Sequence, residues 1–82
     1  MPYVIEIRPR AEKDLDPLPP HLAELILTHI YRLKAGLGGN IKRLKHHHPD
    51  FRLRVGDWRV LFEVAGNKII IHRVLHRREA YR

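Results

Sequence analysis

The alternation of apolar and polar residues changes period twice along this chain, and each change marks an element. Residues 3–8, YVIEIR, alternate with period two: Tyr3, Ile5 and Ile7 point one way, Val4 and Glu6 the other, which predicts a short strand stopped by Pro9. Residues 11–18, AEKDLDPL, are compatible with about two helical turns before Pro17. From Pro20 the period becomes helical, with Leu22, Leu25, Ile26, His29, Ile30 and Leu33 on one face. Pro20 suits a first helical position and Gly36 a C-terminal cap. GLGGN (36–40) reads as a flexible connector, and IKRLKHHHPD carries no readable period. Period two then returns in three runs, 51–55, 58–65 and 68–75, separated by Gly56-Asp57 and Gly66-Asn67. The expectation is an α+β domain over 1–82: a strand, a two-helix hairpin, and a three-stranded antiparallel meander packed on the helices.

A two-residue turn at Gly56-Asp57 sets the register of FRLRVGDWRV (51–60) and its continuation. Val55 then faces Trp58, Leu53 faces Val60 and Phe51 faces Phe62, all on the core side, because alternate residues share a face. The other face pairs Arg54 with Arg59 and Arg52 with Leu61. A slip of one residue would bury the arginines. Like charges directly opposite each other cost a few tenths to about 1 kcal/mol. Either a carboxylate such as Glu63 offsets that cost, or a bound phosphate or acidic partner does. If the turn at Gly66-Asn67 is equally tight, Val74 faces Arg59 and His72 faces Leu61. The chain end, with His76, Arg77, Arg78 and Tyr81, then leaves the sheet beside the arginine pair.

Charge sharpens this picture. The net charge is +7, and residues 42–82 carry all of it, with eleven Lys/Arg against four acids. So one-sided a surface suits nucleic acid or an acidic protein, against the plainer reading of a solubilising charge. The absence of cysteine removes disulfides and thiolate metal sites and fits the cytosol. No apolar run reaches the roughly 20 residues a membrane span needs, and there is no signal-peptide core, so no membrane association is expected. His46-His47-His48 lack an accompanying carboxylate motif, and three adjacent side chains do not converge; no metal and no cofactor are expected. Arginine forks, a titratable imidazole and a phenol suit metal-free cleavage of an RNA phosphodiester, in which the substrate's own 2′-hydroxyl attacks.

The segment LKHHHPDFRLRVGDWRVLFEVAGNKIIIHRVLHRREAYR resembles the second half of RelE/ParE superfamily toxins. Their pattern is Leu-Lys-Gly, a spacer, Tyr-Arg-Leu-Arg-x-Gly-Asp-Tyr-Arg-Val-x-Phe/Tyr, and a closing Gly-His-Arg-x-x-x-Tyr. The order of elements matches as well. The resemblance implies the toxin of a type II toxin–antitoxin pair: a ribosome-dependent endoribonuclease that cuts mRNA in the A site, inhibits translation, and is silenced by a cognate RelB-like antitoxin. It implies catalytic roles for Arg54, Arg59, Arg77, Tyr81 and His76. Arg52, the second basic strand position, is assigned to RNA binding, along with Lys42, Arg43, Lys45 and Arg78. Three departures stand out. His46 and Leu75 occupy glycine positions of the pattern, and arginines replace the lysines some members carry at 52 and 54. Since arginine cannot act as a base, proton transfer would move to His76, Tyr81 or a histidine of the 46–48 run. Two other readings stay open: a ParE-like inhibitor of DNA gyrase, and a non-catalytic binding member whose site has decayed.

Overall fold

A computed structural model describes residues 2–80. Five strands form one sheet in the order β1-β5-β4-β3-β2. These are β1 (Val4–Ile7), β2 (Ile41–Arg43), β3 (Phe51–Val55), β4 (Trp58–Ala65) and β5 (Lys68–His76). Helix α1 (Pro9–Leu15) follows β1, α2 (Pro20–Arg32) runs into a 3-10 turn at Leu33–Ala35, and α3 (Arg77–Ala80) closes the described chain. The expected meander is therefore the centre of a wider sheet. β2, which carries no periodic signal, adds antiparallel to β3, and β1 adds parallel to β5. No helix among the described residues is long and apolar enough to cross a membrane.

The core lies between one face of the sheet and the two longer helices. Ala11, Ile26, Ile30 and Leu33 meet Leu53, Val55, Val60, Phe62, Ile69, Ile71 and Val74, all buried. The hairpin register follows the sequence pattern pair by pair, from Phe51 opposite Phe62 to Val55 opposite Trp58. Phe51 and Phe62 stack across the strands at 5.4 Å, which adds a directional aromatic contact to burial. Both hairpin glycines have positive φ, Gly56 at 57° and Gly66 at 63°, as the first central position of a II′ turn requires. Leu25 departs from the helical pattern: it is half exposed, because the sheet covers only the stripe centred on Ile26 and Ile30. Pro9 ends β1 and also opens α1, where its missing N–H costs nothing.

One register expectation fails. A bulge between Leu61 and Phe62 shifts the β4–β5 pairing, so Arg59 faces Leu75 and Leu61 faces Arg73, rather than Val74 and His72. The turn is tight as expected, but one extra residue of β5 enters the ladder beyond it. A bulge leaves no mark on a two-residue alternation until parity is counted from both ends, and here the parity of Val74 is what changes.

β1 stops at Ile7, which leaves the outer edge of β5 uncovered beyond Ile71. Asp14 on α1 fills that gap. Its carboxylate accepts the Val74 N–H at 2.9 Å, Arg73 Nε at 2.8 Å and Arg73 Nη2 at 3.2 Å. The Asp14 hydrogen bonds hold the Arg73 guanidinium above its ordinary pKa.

His46 has φ 56°, the left-handed conformation, at the position where the toxin pattern has glycine. A non-glycine residue thus holds a left-handed backbone, at a steric cost of about 1–2 kcal/mol. His46→Gly is expected to raise stability, by about 0.5–1 kcal/mol after glycine's own entropic cost. Urea denaturation midpoints test this, and a lowered midpoint would contradict it.

Candidate nucleic-acid interface

The sheet face turned away from the helices carries the charge. Opposite residues share a face, so one row across β2, β3, β4 and β5 reads Lys42, Arg52, Leu61, Arg73. The next row, toward the Gly56 turn, reads Arg54, Arg59, Leu75. Arg73 is neutralised by Asp14. Of the other cations in the two rows, Arg59 is on β4, while Lys42, Arg52 and Arg54 lie on the β2–β3 side. There the loop after β2 and the closing helix α3 leave a groove of about 480 Å³, lined by Lys42, Arg43, Leu44, Lys45, His47, Arg52, Leu61 and Ala80.

The groove joins fixed positive charge to one imidazole, that of His47. His47 Nδ1 lies 2.8 Å from the Pro49 carbonyl oxygen. A carbonyl only accepts, so Nδ1 carries a hydrogen in this contact, and in that tautomer Nε2 is the nitrogen left to accept a proton. Arg52 comes from the floor, held by the strand pairing on both sides of it. Lys42 and Lys45 are exposed on the wall. A trench with cations along it and an imidazole at its rim is matched to a phosphodiester backbone.

A family model described as the ParE toxin of the type II toxin–antitoxin system parDE matches residues 5–81. The chain belongs to the RelE/ParE toxin superfamily. Its relatives include Toxin RelE3 of Methanocaldococcus jannaschii, 38% identical over 74 residues, covering 84% of either chain. The toxin–antitoxin complex RelBE2 from Mycobacterium tuberculosis superposes with a TM-score of 0.81 at 26% identity, over 94% of this chain and 100% of that one. The RelB–RelE antitoxin–toxin complex from Methanococcus jannaschii gives a TM-score of 0.76 at 34% identity, over 93% and 94% of the two chains. The expected α+β architecture is the fold of these toxins.

Within this toxin the residues singled out from sequence do not all come together. Lys42, Lys45 and Arg52 share the groove, and Arg54 stands exposed on the adjoining row. Arg43 also borders the groove, but its guanidinium is tied elsewhere, 3.5 Å from Asp50 and over the Phe51 ring. Arg59 corrects the picture of two exposed, opposed arginines. It is only 7% exposed, and its Nη1 donates to the Gly56 and Trp58 carbonyls at 2.8 and 3.0 Å. Carbonyls of the turn thus hold its Nη1, and among the described residues Glu63 is paired with His72 instead, at 2.6 Å.

His76 also departs from expectation. It faces Trp58 across the ladder, with the rings edge-on at 5.4 Å, on the opposite side of the sheet from Arg59. There it caps α3 in the manner of a capping box: its Nδ1 accepts the Arg78 N–H, and Glu79 accepts the His76 N–H, both at 3.3 Å. The bulge is the reason, since the added residue moves position 76 to the Trp58 side. Arg77 and Arg78 are exposed on α3, with Arg77 3.7 Å from Asp57. Tyr81 lies outside the described residues. Of the histidine run 46–48, offered by the sequence as a whole, His47 is the member that lines the groove.

Proposed function

We propose that this toxin is a metal-independent endoribonuclease that cuts mRNA on the ribosome, with the β2–β3 groove as its RNA-binding surface. The observation that carries the reading is the trench in which Lys42 and Arg52 of the sheet meet Lys45 and His47 of the loop after β2. Arg52, with Arg54 beside it, neutralises the phosphate whose charge rises as the 2′-oxygen bonds to phosphorus and the P–O5′ bond breaks, the departing 5′-oxygen taking its proton from water. His47 takes the 2′-hydroxyl proton through Nε2, the proton-carrier role that the arginines at 52 and 54 cannot fill. Arg77 and Arg78, exposed on α3, contact the neighbouring nucleotides, and Arg59 holds the Gly56 turn that follows Arg54. So few groups supply little substrate orientation of their own, and the ribosome provides it. The partner that silences the toxin is a cognate antitoxin of RelB type, as in the complexes of its structural relatives.

The test is a reporter mRNA translated on purified ribosomes, with its 5′ ends mapped. Codon-spaced cuts ending in 2′,3′-cyclic phosphate are the expected result, and intact mRNA under full occupancy would overturn it. His47→Ala is expected to slow single-turnover cleavage by about 100-fold, and an unchanged rate would remove His47 from proton transfer. The ParE description of the matching family favours one second reading, inhibition of DNA gyrase. Inhibited supercoiling alongside uncut mRNA would decide for it.

A further inference from the structure

The bulge that displaces His76 builds something else. Phe62 faces Ile71 and Leu61 faces Arg73, so His72 is the residue left over between them, with no partner on β4. A bulged residue re-aims its side chain, and His72 meets Glu63, Nε2 to Oε1, at 2.6 Å. A third group arrives from the loop before β3. The ring of His48 sits edge-on to that of His72, 5.5 Å between centroids. One ligand atom from each of His48, Glu63 and His72 lies within 4.8 Å of the other two.

We propose that His48, Glu63 and His72 form a binding site for a single zinc ion. Two imidazoles and one carboxylate, without sulfur, form the donor set of a borderline divalent ion. Around a tetrahedral zinc with bonds near 2.0–2.1 Å, neighbouring ligand atoms stand about 3.3 Å apart. The three groups reach that spacing by small rotations, with the His72–Glu63 contact opening and His48 closing in. His48 and His72 also line a cavity of about 460 Å³, together with Arg8, Arg10, Pro49 and Arg73, from which a fourth ligand would come. It is open to water or an anion.

The site shares no residue with the groove lining, although Glu63 is the next residue after Leu61 on the same face of β4. It is nevertheless linked to the groove by the chain. The loop that supplies His48 also carries Lys45 and His47, so zinc would pin the groove wall to β4 and β5. The histidine run gives no metal reading as three adjacent residues. The tertiary structure takes one of the three and supplies the other two ligands from distant strands.

Zinc titration of the full chain, produced without a histidine tag, in a non-chelating buffer, tests this directly. One equivalent should bind, and amide exchange across residues 44–50 should slow. His72→Gln and Glu63→Gln should each weaken binding at least tenfold, and His46→Asn should leave it unchanged. Glu63→Gln retains the shape of the side chain, so a loss of binding with an unaltered circular dichroism spectrum separates ligation from folding. Cobalt offered in place of zinc should give the visible absorption of a tetrahedral site in the wild type and lose it in the two strand variants. No binding by the wild type would overturn the proposal. So would zinc affinity that survives His72→Gln and Glu63→Gln, which would assign the metal to the exposed histidine run.

Discussion

Arg52→Ala is expected to lower single-turnover cleavage of ribosome-bound mRNA by about 100- to 1,000-fold, the usual loss for one preorganised donor to a developing oxyanion. The fold should survive the change. The register of β3 is held by Phe51, Leu53 and Val55 against Phe62, Val60 and Trp58, and none of these contacts involves Arg52. Its removal even takes away one half of a like-charge pair, since Lys42 stands directly opposite, a repulsion of a few tenths to about 1 kcal/mol. Arg52→Lys should recover part of the rate, because charge is kept while the planar fork is lost. An Arg52→Ala protein with a wild-type melting curve and a wild-type cleavage rate would exclude the groove as the phosphate site. Arg59→Ala is expected to differ in kind. Its guanidinium holds the Gly56 and Trp58 carbonyls, so it should lower the denaturation midpoint as well as activity.

Asp14→Ala should cause the largest loss of stability among the polar positions, about 3 kcal/mol. One carboxylate meets three donors: the Arg73 fork and the Val74 amide. Removing it strands a half-buried guanidinium and an unpaired edge N–H at the point where β1 has ended. Partial exposure of Arg73 brings the figure down from the cost of a fully buried pair. Because Asp14 raises the Arg73 pKa, the guanidinium's contribution is complete at every pH below its ordinary value and is lost only above that, in strong alkali. Between neutral and mildly alkaline pH, the difference between wild type and Asp14→Ala should stay flat. Chemical denaturation at several pH values in that window measures it, and a difference below about 1 kcal/mol would show that the edge is capped by other means.

The hairpin 51–65 was legible to the residue because its information is local. A Gly-Asp turn and six apolar residues at period two leave one register that buries them all. The same logic located α2 and the basic half of the chain. The motif around RLRVGDWRV, with HRREAY behind it, was enough to indicate the superfamily.

What local pattern could not carry was anything set by contacts between distant segments. β2 has only three residues and becomes a strand by pairing with β3; nothing in IKR alternates enough to announce it. The bulge after Leu61 shows only in the pairing of β4 with β5, and it moves His76 to Trp58 and turns His72 toward Glu63. Burial of Arg59 depends on the turn carbonyls that its side chain folds back to meet. The sequence by itself therefore determined the order of elements, the hairpin pairing and the charged face, since each follows from the period of neighbouring residues. Only the tertiary structure decided which cations share a groove, which arginine is buried, and which histidines meet a carboxylate. Those depend on packing geometry between segments that lie far apart in the chain.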